Sequence, residues 1–339
     1  MSEDSNTSND SSGYQLYHYV PNKGAAILFV VLFLLGTFVS AFQVFFWARR
    51  TSSVRMNEAF EVCSTKDLGN TETKFVGETC VRYASVSKQD RKLKVSSISC
   101  CFIPFFIGCI FEAIGYVARA ISASNKQALV PFIIQSVLLL VAPALYAGSI
   151  YMLFGRLLRA MECQKLMLVS SRFGTAVFVT GDVLSFLLQS AGGGLMAKED
   201  QADTGSRLVI GGLVVQIVFF GFFIINELRF SVRVDPVCPF FRRLSRKWLY
   251  FNWVLLISSL LIMVRSIVRL IEFVEGSDGF IISHEVFIYV FDALPMFLVI
   301  VLFCAALYFG NIFSVIDECR NSKNAAIVRH PIQLEEESF

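Results

Sequence analysis

A chain of 339 residues with a formal net charge of +3 has 55% hydrophobic residues, 17% charged ones and 34 phenylalanines. That is more apolar surface than one water-surrounded core of this length buries. The composition therefore excludes a soluble globular protein and predicts an all-α polytopic membrane protein.

In chain order, residues 1–23 (MSEDSNTSNDSSGYQLYHYVPNK) are polar and have no apolar core, so a disordered extracellular tail is expected rather than a cleavable signal peptide. The tail holds the sequons Asn6-Thr7-Ser8 and Asn9-Asp10-Ser11, which make Asn6 and Asn9 glycosylation candidates on a lumenal or extracellular segment. Seven apolar runs follow at about 24–48, 98–121, 128–154, 173–196, 207–226, 249–272 and 284–310, each matching the roughly 20 residues that cross a bilayer. Together they predict one seven-helix transmembrane domain over 24–310, with the first helix acting as the insertion signal. A long loop at 49–97 interrupts it and ends in Arg91-Lys92-Leu93-Lys94, a basic run suited to anionic lipid. A tail at 311–339 completes the chain.

Orientation follows from the basic residues. Of 30 lysines and arginines, 23 fall in connections and the tail on one side of the seven runs and four on the other. The excess predicts a cytosolic loop 49–97, a cytosolic C-terminus and an external N-terminus. All nine cysteines fall in helices or segments expected to be cytosolic, which argues against a disulfide framework.

The run FVTGDVLSFLLQSAGGGLMA, beginning at Phe178, places Asp182 in an otherwise uncharged helix, with Ser185 and Gln189 on its stripe. Polar groups in hydrocarbon cost on the order of kilocalories each and mark function by default. The candidate set is Glu112 and Arg119 on the second helix, Gln135 on the third, Asp182 and Gln189 on the fourth and Gln216 on the fifth, followed by Arg265, Arg269 and Glu272 on the sixth and Glu285 and Asp292 on the seventh. Most lie in the half of the membrane nearer the N-terminus, with Asp182 near the midplane. Spacings of three, four and seven place each helix's members on one face. Residues seven apart are about 10 Å apart along the axis, so the acids are expected to meet Arg119, Arg265, Arg269 or water across helices. Two readings stand: an interhelical ion-pair network that fixes packing, and a wet cavity open outward, favoured because five acids outnumber three arginines.

The sequence has no G-x-x-x-x-G-K-S/T phosphate loop, so no ATPase of its own is expected. Its three histidines, His18, His284 and His330, exclude a three-histidine zinc hydrolase inside the membrane. The D-R-Y and N-P-x-x-Y signatures of common seven-helix receptors are also lacking. No catalytic set is visible, so an enzyme is not expected.

The segments FEAIGYVARA, PFIIQSVLLLVAPALYAGSIYMLFGRLLR, FVTGDVLSFLLQSAGGGLMA, GGLVVQIVFFGFFI and RSIVRLIEFVEGSDGFIISHEVFIYVFDALPM resemble the fungal RTA-like family, also called lipid-translocating exporters, over about residues 17–313. LYHYVPNKGAAILFVVLF and the basic first loop resemble a yeast branch linked to aminocholesterol resistance, molasses resistance and protoporphyrin uptake. The resemblance implies a seven-helix protein handling sphingoid bases, phospholipids, sterol analogues or porphyrins. By motif position Glu112, Gly115, Tyr116 and Arg119 match the family's second-helix signature, Gln135 and Pro143 its third, and Asp182, Gln189 and the triple glycine 192–194 its fourth. Arg265, Arg269 and Glu272 match the sixth, and His284, Glu285 and Asp292 the seventh. Many members have a histidine near the end of the first helix and His-Pro-Gly after the seventh, where this chain has Gln43 and LYFGN. Roles given to those histidines do not transfer.

The expected function is a membrane translocator of amphipathic molecules without its own ATPase, the alternative being a lipid-sensing seven-helix receptor or regulator that transports nothing. Partners are expected to be membrane lipids and an amphipathic small molecule, with no nucleic acid. No cofactor or metal is implied. Plasma membrane is the expected residence, with endoplasmic reticulum or another internal membrane the alternative.

Overall fold

Where no water is available, a chain satisfies its backbone N–H and C=O groups within each crossing segment, which helices do. The computed structural model describes residues 23–64, 97–123, 129–161, 171–196, 199–237, 246–275 and 285–319, and over them the chain is helical. The helices are α1 (Lys23–Ser64), α2 (Ile103–Ser122), α3 (Leu129–Met161), α4 (Ser171–Met196), α5 (Ala202–Val237) and α6 (Lys247–Glu275). The seventh, α7, starts as Glu285–Ile288, passes through a π turn at Tyr289–Ala293 and continues as Leu294–Phe309. Among the described residues, seven helices are long and apolar enough to cross a membrane. The glycosylation candidates Asn6 and Asn9 lie outside the described residues, as does His284.

Several helices outrun the apolar runs that announce them. α1 continues from 48 to Ser64, so its 42 residues extend about 63 Å, twice a hydrocarbon core. α5 occupies Ala202–Val237 where hydropathy alone marks 207–226. The difference matters for Glu227, which falls in a connection by hydropathy and is fully buried in the bundle. Its signal is a stripe: Leu213, Gln216, Phe220, Phe223, Glu227 and Phe230 recur at spacings of three and four, and all are buried.

Consecutive helices pack side by side and α7 returns against α1 and α6, closing a ring. α3 also touches α6, which puts it at the centre. α1 is peripheral, and Leu28, Leu35, Phe38 and Phe42 on its outer face are exposed, as a lipid-facing surface requires.

The α4–α5 pair is the most intimate, for a backbone reason. A Cβ on Gly192 would stand 2.6 Å from the Gly205 carbonyl oxygen, and one on Gly212 would stand 2.8 Å from that of Ser185. Small residues let two helix backbones approach where lipid supplies no hydrophobic drive between helices. Gly193 and Gly194 meet nothing within 4 Å. Of the triple glycine, only Gly192 makes the close approach.

Candidate functional site

At the end of the bundle bearing the N-terminus, a charged core forms around Asp292. Arg269 Nη2 donates to Asp292 Oδ2 at 2.8 Å and Arg265 pairs with Oδ1, so two guanidinium groups from α6 hold one carboxylate from α7. Arg269 also donates to Glu272 on its own helix, at 3.2 Å. The Tyr116 hydroxyl reaches Asp292 Oδ2 at 3.4 Å from α2. Charge-assisted pairs of this kind tolerate burial only when their remaining donors are met.

Arg265 meets that condition through a vacancy in a neighbouring helix. Its Nη2 donates to the Leu139 carbonyl on α3. In an unbroken helix that carbonyl accepts the N–H of residue 143, but residue 143 is a proline inside α3 and has no N–H to give. Pro143 thus frees an acceptor in the bundle centre, and the arginine fills it. A second irregularity delivers the acid: the N–H of Leu294 bonds to the Tyr289 carbonyl, five residues back, so a π turn surrounds Asp292 just before Pro295. Such turns add a residue to the helical repeat and re-aim the side chains they carry.

Aromatic rings wall this core. Arg119 Nε donates to the Tyr289 hydroxyl at 3.3 Å, and its guanidinium lies 5.3 Å from the centre of that ring. Phe29 stacks on Tyr289 and on Tyr116, and Phe33 stacks on Tyr116. Glu112, 1% exposed, sits in the field of Arg265, Arg269 and Asp292, yet neither carboxyl oxygen has a hydrogen-bond partner among the described residues. Gln135 is buried on α3, one turn before Leu139. Between α6 and α7 a small cleft is lined by Arg265, Arg269 and Glu272 from α6 and by Phe287, Ile288, Phe291 and Asp292 from α7; Arg265 and Asp292 are themselves buried, and Arg269 and Glu272 are partly exposed.

The candidate residues do not form one site. Glu112, Arg119, Arg265, Arg269, Glu272 and Asp292 converge, and Glu285 begins α7, its side chain lying outside what is described. Glu272 finds its cation on its own helix, where sequence spacing predicts a partner across helices. Gln189 and Gln216 belong to the α4–α5 seam: Gln189 Nε2 donates to Ser185 Oγ at 2.7 Å and to Gln216 Oε1 at 3.1 Å, while Ser185 donates to the Gly212 carbonyl. Asp182, expected beside Ser185 and Gln189, faces Tyr151 of α3 instead. The tyrosine hydroxyl lies close enough to bear on the carboxyl, and neither group has another hydrogen-bond partner among the described residues. One turn of separation along α4 is enough to point Asp182 at a different neighbour.

Glu227 is the buried acid that hydropathy misses. The Ser259 hydroxyl of α6 donates to its Oε2 at 3.0 Å, and Oε1 has no partner among the described residues. Below it, Asn252 donates to Ser231, which donates to the Glu227 backbone carbonyl. Among the described residues no three His, Cys, Asp or Glu side chains could hold a metal ion.

A seven-helix bundle with a buried arginine–carboxylate core opening on an aromatic cleft defines a multi-pass membrane protein with an internal polar site. Comparison with known proteins gives that class a family. The family model described as RTA1 like protein matches residues 105–315, and the chain belongs to this RTA1-like family. Protein RTM1 of Saccharomyces cerevisiae is 55% identical over 93% of this chain and 99% of its own length. Protoporphyrin uptake protein 1 of the same species is 52% identical over 94% of this chain and all of its own. A more distant relative, the sphingoid long-chain base transporter RSB1, is 27% identical over 57% of this chain and 60% of its own. No solved structure matches. Homologues named for porphyrin uptake and sphingoid-base transport support a membrane transporter or translocator of lipid-like molecules.

Proposed function

We propose that the protein binds an amphipathic molecule at the α6–α7 cleft and moves it across the membrane, acting as a translocator and not as an enzyme. The observation that carries this reading is the cleft itself, where the charged side chains of Arg269 and Glu272 line the same space as Phe287, Ile288 and Phe291. A ligand with a charged head and an apolar body suits a lining of both kinds. Arg269 is the group best placed to receive a carboxylate or phosphate, since its planar fork already serves two carboxylates and is partly exposed. Glu272, on the same rim, suits an amine. Protoporphyrin, for which one relative is named, has carboxylates, and a sphingoid base, for which another is named, has an amine.

The excess of basic residues in the connections supports a cytosolic C-terminus, and the plasma membrane is the proposed residence. The test uses purified protein in vesicles of neutral phospholipid, with protoporphyrin and a fluorescent sphingoid base as probes. Saturable transfer to the vesicle interior, lost in Arg269→Ala, is the expected result. Saturable binding with no transfer overturns translocation and leaves a lipid-sensing receptor.

A further inference from the structure

Two buried carboxyls stand apart from the charged core. Asp182 is 5% exposed and Glu227 is 0% exposed. The polar groups that face them are few. Toward Asp182 α3 presents Tyr151, and α5 brings Phe219 against the adjoining Gly181. Toward Glu227 α6 presents Ser259, and Tyr151 lies within electrostatic reach of both acids. Among the described residues no ion pair joins a lysine, arginine or histidine to either acid. The surroundings are aromatic: Tyr151 packs against Phe178, Phe220 and Phe223, with ring centres 4.5 to 6.0 Å away.

A carboxyl in such a place has no counter-ion and few donors, and intramembrane acids of this kind mark ion and proton pathways. The contrast with Asp292 is internal to the molecule, because that carboxylate has two guanidinium groups and a tyrosine hydroxyl. The two acids are also at different depths. Gly181 lies level with Phe219, and Glu227 is eight residues further along α5, about 12 Å deeper at the helical rise. Tyr151 stands between, within reach of both carboxyls. A small cleft lined by Tyr151, Gly155, Thr175 and Phe178 lies beside it, on the side of the bundle end opposite the N-terminus.

We propose that Asp182 and Glu227, with Tyr151 between them, are proton-binding sites, and that exchange of these protons couples the bundle's movements to a pH difference across the membrane. The coupling half rests on the translocation reading above, and the proton-binding half does not. In the neutral state each acid holds one proton on a carboxyl oxygen. When the cleft or the aromatic wall admits water, the proton leaves to water and the carboxylate left behind is stable only in that wetted arrangement. Proton occupancy thereby favours the closed packing around Tyr151 and proton loss favours the open one.

The test begins with the purified full-length protein in detergent, treated with dicyclohexylcarbodiimide, which modifies protonated carboxyls in apolar surroundings, and mapped by mass spectrometry. Label on Asp182 and Glu227 that declines as pH rises is expected, with loss of the corresponding label in Asp182→Asn and Glu227→Gln. Absent label, or label independent of pH, overturns the proposal. Asp182→Asn preserves shape and removes only the exchangeable proton, so the variant is expected to accumulate as folded protein. Failure to do so would show a carboxylate that needs its charge, and would also overturn it. In vesicles, an imposed pH gradient is expected to change the rate of protoporphyrin transfer by wild type, and Asp182→Asn and Glu227→Gln are expected to abolish that change. Wild-type transfer indifferent to the gradient overturns the coupling. Wild type that moves no probe at all, while the pH-dependent label persists, counts against translocation and not against proton binding.

Discussion

At the scale of single residues, the charged core is held by two guanidinium groups that are not equivalent. Arg265 is buried against Asp292 and the Leu139 carbonyl, while Arg269 is partly exposed and shared between Asp292 and Glu272. Removing Arg269 leaves Glu272 without its cation and Asp292 with one guanidinium in place of two. Arg269→Ala is expected to lower stability by about 3 kcal/mol, as breaking a buried pair does. Thermal unfolding in detergent, with size-exclusion profiles to count folded protein, checks this. A lysine lacks the fork that reaches two carboxylates, so Arg269→Lys should fall between wild type and alanine. Pro143→Ala restores an N–H that competes with Arg265 for the Leu139 carbonyl. The gain of a helical bond offsets part of the lost one, and a net cost of about 1 kcal/mol is expected, visible only while Arg265 is present. A double-mutant cycle with Arg265→Met isolates that coupling.

Between helices, the α4–α5 seam is set by backbone proximity and the α3–α6 contact by polar reach. Gly192→Ala drives a methyl group against the Gly205 carbonyl and the Val209 backbone, and overpacking of this kind costs roughly 1–3 kcal/mol. Gly193→Ala meets open space and should leave unfolding unchanged within error. The pair distinguishes a packing seam from a ligand cradle: if the triple glycine served a ligand, the two substitutions would affect binding and not stability. Ser185, Gln189 and Gln216 form a closed set of hydrogen bonds along the same seam. Gln189→Leu is accordingly expected to weaken the seam, and to lower unfolding temperature more than probe binding.

For the whole molecule, orientation is the property that every depth depends on. A glycan or protease tag at residue 10 is expected to be accessible from outside intact cells, and tags within 60–85 or after 320 to be protected. An accessible tag within 60–85 would invert the assignment and exchange the two ends of the bundle. The proton sites then would open toward the other compartment. Ring closure, with α7 returning to α1 and α3 at the centre, makes the charged core and the Asp182 region neighbours of one helix, α3, which carries Leu139 and Tyr151 three turns apart. A movement of α3 is therefore felt at both.

The seven crossings were legible in composition and hydropathy because lipid demands apolar length, and that demand is local in sequence. So was the membership of Glu112, Arg119, Arg265, Arg269 and Asp292 in inward faces, since helical spacing fixes which residues share a stripe. What distance in sequence concealed was the pairing. Nothing in the spacing of α6 says that Arg265 reaches a carbonyl 126 residues earlier, because the vacancy comes from the missing N–H of Pro143 and the contact from packing. Asp182 and Gln189 share a stripe yet meet different helices, α3 and α5, because helices in a ring turn successive parts of one face toward different neighbours. Glu227 was lost at a span boundary, where one acid and nearby arginines lower hydropathy although the buried stripe of α5 continues through it. The number of apolar spans and the faces that turn inward could be read from residue order alone. Which acid receives a cation and which is left with a tyrosine could not, because that depends on side chains brought together from helices far apart in the chain.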